Sequence, residues 1–150
     1  FVAGDGRWIK PFLLYRTYHG SAMSPTVQRA SVVAWNDEAH VVANREQYRR
    51  KFAQVTPLLA EVMDVALPDA GFYLWADISR LIPGGDDVQY ARGLLAQYNV
   101  AVLPGSLLAR EAGGVNPGAG RIRLALVSEA DSCLEAAHRI VAHCRSMISA

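Results

Sequence analysis

The sequence predicts an α+β fold: a small sheet covered by helices on one side, preceded by a remnant of a larger α/β domain. Three observations predict it. From Met63 onward the apolar spacing changes from a helical period to a period of two, the mark of strands. The later elements run strand, strand, helix, strand, strand, helix, which is not the strict alternation that builds a parallel sheet. The first twenty residues fit no part of that layer; Trp8, Phe12 and Leu13 are expected to lie exposed there, as at the edge of another domain. The expected division is 1–35 for the remnant, 36–62 for a helix bridging two lobes, and 63–150 for the small domain.

Each element has a local reason. Phe1 to Ala3 reads as a strand that turns at Gly4-Asp5-Gly6. Trp8 to Tyr15 is apolar, but Lys10-Pro11 argues against one regular element. Arg16 to Ser21 is a polar connector. Ser24-Pro25 supplies an N-cap and a first-turn proline for a helix reaching Trp35. Asn36-Asp37-Glu38 starts the bridging helix with acids in its first turn, and Pro57 must bend it or lie near a break. Asp64–Leu67 and Phe72–Ile78 read as paired strands around the turn Pro68-Asp69-Ala70-Gly71. Asp86 or Asp87 caps a helix that Asn99 ends, and Val100 to Leu103 is a short buried strand before Pro104-Gly105. A Gly-rich loop from Ala112 to Gly120 leads into Arg121–Val127. There Arg121, Arg123 and Ala125 share one face, and Ile122, Leu124 and Leu126 the other. Ser128 with Asp131 resembles a capping box for the last helix, whose stripe is Leu134, Ala137, Val141, Cys144 and Ile148.

Composition narrows the function classes. A net charge of +1 creates no long-range field, and no basic stripe suggests nucleic acid. The run Arg49-Arg50-Lys51 reads as a solvated helix face. No apolar stretch is long enough for a membrane span. Cys133 and Cys144 fall on one helix, roughly 16 Å apart at about 1.5 Å per residue, too far to join each other. Packed thiols of this kind suggest a reducing compartment, by default the cytoplasm. Cys and His do not cluster at metal-ligand spacing, so no metal is expected.

Three features could carry chemistry. Arg123 sits mid-strand beside a Gly-rich loop; a guanidinium there wants a carboxylate or phosphate, unless it simply meets solvent or a structural acid. Tyr18 and His19 precede a helix N-terminus and could serve an anionic ligand, or merely cap the helix. Gly71-Phe72-Tyr73-Leu74-Trp75 places Tyr73 and Trp75 on one face, as core or as the wall of a cleft. No nucleophile-and-base pair stands out, and Asp86-Asp87 is better explained as a helix start.

Taken in order, Phe1-Val2-Ala3-Gly4-Asp5, Gly71-Phe72-Tyr73-Leu74-Trp75, Val102-Leu103-Pro104-Gly105 and Arg121-Ile122-Arg123-Leu124-Ala125 resemble the C-terminal third of class I/II pyridoxal-phosphate-dependent aminotransferases. Arg16-Thr17-Tyr18-His19-Gly20, Ala34 to His40 and Gly113 to Gly118 are most similar to bacterial N-succinyl-diaminopimelate aminotransferases. The resemblance implies the small C-terminal domain of a fold-type I enzyme, with 1–35 left over from the cofactor-binding domain. It implies that Arg123 binds the substrate α-carboxylate, with Tyr18, His19 and Asn116 as further substrate contacts. The implied reaction moves an amino group between glutamate and a succinylated keto acid, in a homodimer whose Tyr18–His19 loop faces the neighbouring subunit's active site. It also implies that the lysine carrying pyridoxal phosphate, and a phosphate-binding arginine, precede Phe1. Lys10 and Lys51 lack the required context, so this chain is expected to hold no catalytic or cofactor-binding residue and to be inactive alone. The alternatives are an aminotransferase of other specificity and a non-catalytic α+β module that binds small molecules.

Overall fold

The computed structural model describes residues 2–20 and 22–148, in two compact units that divide between Val42 and Ala43. The first unit is helical. Helix α1 spans Gly6–Tyr18 and α2 spans Pro25–Asn36, and neither contains a buried residue. The Ser24 hydroxyl accepts the Val27 N–H at the start of α2, as its cap position requires. Apolar side chains stay uncovered here: Trp8 is 75% exposed, Leu13 67% and Trp35 72%.

Helix α1 corrects the expected strand and the expected break at proline. Phe1 lies outside the described residues, and Val2 to Asp5 form no strand. The Asp5 carboxylate instead accepts the Arg7 N–H at 2.8 Å and so caps a helix. Pro11 lies inside that helix, where its missing donor forfeits a single backbone hydrogen bond and does not end the run. Of the expected polar connector, Arg16 to Tyr18 are the last turn of α1, and Ser21 lies outside the described residues.

Helix α3 (Glu38–Ala60) opens with the Asp37 carboxylate accepting the Ala39 N–H, and it carries Pro57 inside. Its second half belongs to the α+β unit and buries Lys51, Phe52, Val55 and Leu59. The buried lysine corrects the reading of Arg49-Arg50-Lys51 as wholly solvated. Lys51 donates from Nζ to the Leu126 carbonyl at 3.1 Å and lies 4.9 Å from the centre of the Tyr48 ring. Those two contacts replace the water that its ammonium gives up. Charge alone could not reveal this, because the partner lies 75 residues away.

The sheet is three-stranded and antiparallel, in the order β1 (Tyr73–Asp77), β3 (Arg121–Ala125), β2 (Leu103–Pro104). Leu74 lies opposite Leu124 and Ala76 opposite Ile122, so one face is apolar and buried. Helix α3, α4 (Asp87–Tyr98) and α6 (Ala130–Ile148) supply the rest of that core, including Leu59, Leu94 and Cys144, all with no exposed surface. Full burial of each such leucine is worth about 1.5–3 kcal/mol. The α+β prediction, with helices over one face of a small sheet, therefore holds.

Several boundaries differ. Asp64–Leu67 is no strand: Asp64 exchanges two backbone hydrogen bonds with Asp77, at 2.8 and 3.2 Å, and pairing stops there. Pro68 has no N–H to give and Gly71 adopts φ +103°, so the chain between them leaves the sheet edge. The strand expected over Val100–Leu103 is only Leu103–Pro104, followed at once by the short helix α5 (Gly105–Leu108). Asp86 caps α4 through the Val88 and Gln89 N–H groups, and Asn99 ends it in the left-handed region at φ 52°. Helix α6 starts after Glu129, whose carbonyl accepts the Cys133 N–H, so Ser128 stands one place outside the expected cap. Its buried stripe includes Cys133, Ile140 and His143, while Leu134 is half-buried and Ile148 exposed. Both cysteines are buried free thiols.

His143 lies between the rings of Tyr90 and Tyr98, at 5.1 and 5.2 Å, and neither ring nitrogen has a hydrogen-bond partner. Burial pushes its pKa below the usual imidazole value. The unfolded chain then takes up a proton near pH 6.5 that the folded chain refuses. The His143 contribution to stability is complete above that pH and is lost as pH falls through it. Urea midpoints measured from pH 7.5 to pH 5 should decline more steeply for the natural protein than for His143→Phe; parallel curves would contradict the assignment.

Candidate functional site: an open arginine on the central strand

Strand β3 is the middle strand, so Arg123 has a neighbour on each side: Trp75 of β1 and Leu103 of β2. Period-two alternation turns it away from Ile122 and Leu124, onto the face that also carries Tyr73, Trp75, Asp77, Arg121 and Ala125. Residues of this face are exposed or half-buried, in contrast to the sealed apolar face. The site is an open surface. A groove of about 980 Å³ in the same unit, lined by Tyr48, Phe52, Pro57 and Phe72 among others, does not include Arg123.

Two arginines share this face and meet different fates. Arg121 pairs with the Asp77 carboxylate at 3.0 Å. Asp77 also accepts the Ser79 hydroxyl at 2.5 Å and the Ser79 N–H at 2.9 Å. The Ser79 hydroxyl bond, then its N–H, and the nearby Arg121 charge hold the Asp77 carboxyl below the usual carboxylate range. Asp77 is thus fully engaged. Arg123, by contrast, has its Nε buried with no hydrogen-bond partner, and among the described residues no acid pairs with it. Its guanidinium carbon lies 5.3 Å from the centre of the Tyr73 ring. A planar cation held over a ring, with a buried donor unanswered, is chemically suited to a carboxylate or phosphate.

The loop before β3 is built to close tolerances. Gly105 and Gly118 pack backbone against backbone: a Cβ on either would fall well inside van der Waals contact of the other's carbonyl oxygen. Asn116 locks the same loop, donating to the Ser106 carbonyl and accepting the Gly118 N–H, both at 2.9 Å. Its amide is therefore engaged within the loop. Ser106 in turn gives its N–H and hydroxyl to the buried Asp87, at 2.9 and 2.5 Å, which ties α5 to the start of α4.

Of the other residues predicted from sequence, Tyr18 and His19 lie in the helical unit. Tyr18 is 78% exposed at the end of α1, and His19 stacks on Tyr15 with ring centres 4.7 Å apart. Arg123 and Asn116 lie in the α+β unit, on β3 and in the loop ahead of it. Lys10 is exposed on α1 and Lys51 is committed to the Leu126 carbonyl. Period-two alternation puts Tyr73 on this face, and the structure adds its contact with Arg123. That contact depends on the strand register: on β3 the residue opposite Tyr73 is Ala125, two positions from Arg123, which makes the tyrosine a diagonal cross-strand neighbour. Among the described residues no group of His, Cys, Asp and Glu is placed to hold a metal ion, and no helix is long and apolar enough to cross a membrane.

No family model matches the chain. Individual proteins do. A probable aminotransferase of Mycobacterium tuberculosis is 30% identical over 141 residues, which cover 93% of this chain. The crystal structure of an aminotransferase from Neisseria meningitidis matches at 52% identity and a TM-score of 0.79, again over 93% of this chain. The chain is similar to a C-terminal portion of these aminotransferases. A solved probable N-succinyldiaminopimelate aminotransferase from Thermus thermophilus also matches, at 29% identity and a TM-score of 0.58 over 72% of this chain. The segment spans about a third of its relatives, 31% of the Mycobacterium protein and 35% of the Neisseria chain.

Proposed function

We propose that this chain is the C-terminal part of a pyridoxal-phosphate-dependent aminotransferase, and that Arg123 binds the α-carboxylate of its amino-acid and keto-acid substrates. One observation carries the reading: a guanidinium on the central strand has a buried Nε without an acceptor, while the acid on the same face is held by Arg121. Among the described residues no acid occupies the outer nitrogens of this guanidinium, so they remain free to give charge-assisted hydrogen bonds to an incoming carboxylate. Two parallel N–H donors fix the plane of the carboxylate as well as its place, and so orient the substrate Cα for proton transfer.

Pyridoxal phosphate, when bound, supplies an electron sink for the bond broken at that carbon. On this reading the cofactor is held elsewhere, which is supported by Lys51 being buried with its Nζ hydrogen-bonded to a carbonyl and by Lys10 lying exposed on α1. The cofactor lysine and the phosphate-binding arginine are therefore assigned to the remainder of the parent protein. The isolated chain is accordingly proposed to be inactive, with residues 1–35 as part of the cofactor-binding domain. Tyr18 and His19 are proposed to face the active site of a second subunit in a cytoplasmic homodimer, and Asn116 to act by holding the loop ahead of β3.

For the substrate, the reading favoured is amino transfer between glutamate and a succinylated keto acid. It is supported by the similarity of Arg16–Gly20, Ala34–His40 and Gly113–Gly118 and by the Thermus relative. The full-length protein should transfer the amino group of glutamate faster to the succinylated acceptor than to pyruvate, oxaloacetate or an aromatic keto acid. A faster reaction with one of the others would replace the substrate while leaving Arg123 in its role; no turnover with any of them would favour a non-catalytic binding module.

A further inference from the structure

We infer that Tyr73 is a positioning residue for Arg123: the face of its ring holds the guanidinium in place while leaving the outer nitrogens open for a carboxylate. The inference rests on the carboxylate-binding reading of Arg123. A long, flexible cation must be held in place before substrate arrives. A carboxylate would hold it, but would also compete with the substrate for the same nitrogens. The acid on this face, Asp77, is engaged by Arg121 and Ser79. The Tyr73 ring, 5.3 Å from the guanidinium carbon, is what meets the arginine instead.

An aromatic face suits that task. Its quadrupole attracts the cation without occupying an N–H donor, so charge and fork geometry both remain available. The ring is itself buttressed. Phe72 meets Tyr73 edge to face at 5.6 Å, and Tyr48 of α3 meets Phe72 at 6.3 Å. A chain of rings thus runs from α3, through the glycine-aromatic strand, to the arginine on β3. The diagonal register between Tyr73 and Arg123 makes the contact a property of the sheet, since a slip of one residue would turn Tyr73 to the buried face. The contact is made by the ring face and needs no hydroxyl, so phenylalanine should replace tyrosine here.

The test compares four forms of the full-length protein with the natural one: Tyr73→Phe, Tyr73→Leu, Tyr73→pentafluorophenylalanine and Arg123→Gln. The last ring keeps its shape while its face loses negative potential, which separates cation attraction from packing. Three readouts are taken: the Kd of succinate, a carboxylate that cannot transaminate; the NMR resonance of the Arg123 Nε–H; and KM and kcat for glutamate. Tyr73→Phe should stay within about twofold of the natural protein, while the Leu and pentafluoro forms should weaken succinate and raise KM about 3- to 20-fold, as expected for a cation–π contact. In both, kcat should change less than KM and the Nε–H resonance should shift. Natural affinity in the Leu or pentafluoro form, with affinity lost in Arg123→Gln, overturns the inference and leaves Arg123 in its role. Equal loss in the Phe and Leu forms also overturns it, by pointing to the hydroxyl. Unchanged binding in Arg123→Gln overturns the underlying reading as well.

Discussion

Replacing Arg123 with Gln in the full-length protein should lower kcat/KM for amino-acid substrates by about a hundredfold to ten-thousandfold, while leaving stability within about 0.5 kcal/mol. The first figure follows from losing two charge-assisted hydrogen bonds at about 1.5–3 kcal/mol each, converted at about 1.4 kcal/mol per factor of ten. The second follows from the structure. Among the described residues Arg123 forms no ion pair, and its Nε has no hydrogen-bond partner, so the folded state loses little beyond the contact with Tyr73. A structural arginine would behave in the opposite way, because removing it would strand its partner. Arg123→Lys should recover only part of the loss, since an ammonium offers a point charge where the carboxylate needs a planar fork. Steady-state kinetics with thermal unfolding of the same preparations would check both halves. A variant that unfolds early but retains its kcat/KM would make Arg123 a structural residue.

Gly118→Ala should destabilise the protein by about 3 kcal/mol or more, at the upper end of point-mutant effects. A Cβ there would meet the Gly105 carbonyl group and would lie 2.8 Å from the Ala109 Cβ. Two of those obstacles are backbone atoms, which cannot turn aside as a side chain can. Relief requires the loop to move. The Gly118 carbonyl, however, accepts the Arg121 N–H at 3.2 Å, so movement disturbs the first residue of β3, two positions from Arg123. The variant should therefore lose carboxylate affinity along with stability. Gly6→Ala provides the contrast: a Cβ there meets nothing within 4 Å, and its denaturation midpoint should match or slightly exceed that of the natural protein. Equal midpoints for both variants would mean that the loop is free to adjust.

What the sequence revealed and what it hid divide along physical lines. Strand β3 was legible, because alternation of Arg121, Arg123 and Ala125 with Ile122 and Leu124 admits one reading on a half-covered sheet. The caps at Ser24 and Asp86, and the stop at Asn99, were legible because each acts on backbone groups within a few residues. The burial of Lys51 was not, since it depends on the Leu126 carbonyl just past β3, which accepts from its Nζ, and on a ring one turn away. The α1 helix was hidden by a proline whose cost the remaining hydrogen bonds of the helix outweigh. The expected hairpin at Pro68–Gly71 failed because turn composition says nothing about whether the residues before it find an edge to pair with. At the site, the arginine was readable from its own strand. The Tyr73 contact and the Asp77–Arg121 pair required the register between strands 44 or more residues apart.

The most direct test of the central claim is a crystal structure of the full-length protein with a bound substrate analogue that cannot react. The account predicts the analogue's α-carboxylate within hydrogen-bond distance of both outer nitrogens of Arg123, with the Tyr73 ring still against the guanidinium. A carboxylate seated on another cation, with the Arg123 guanidinium turned to bulk solvent, would contradict it.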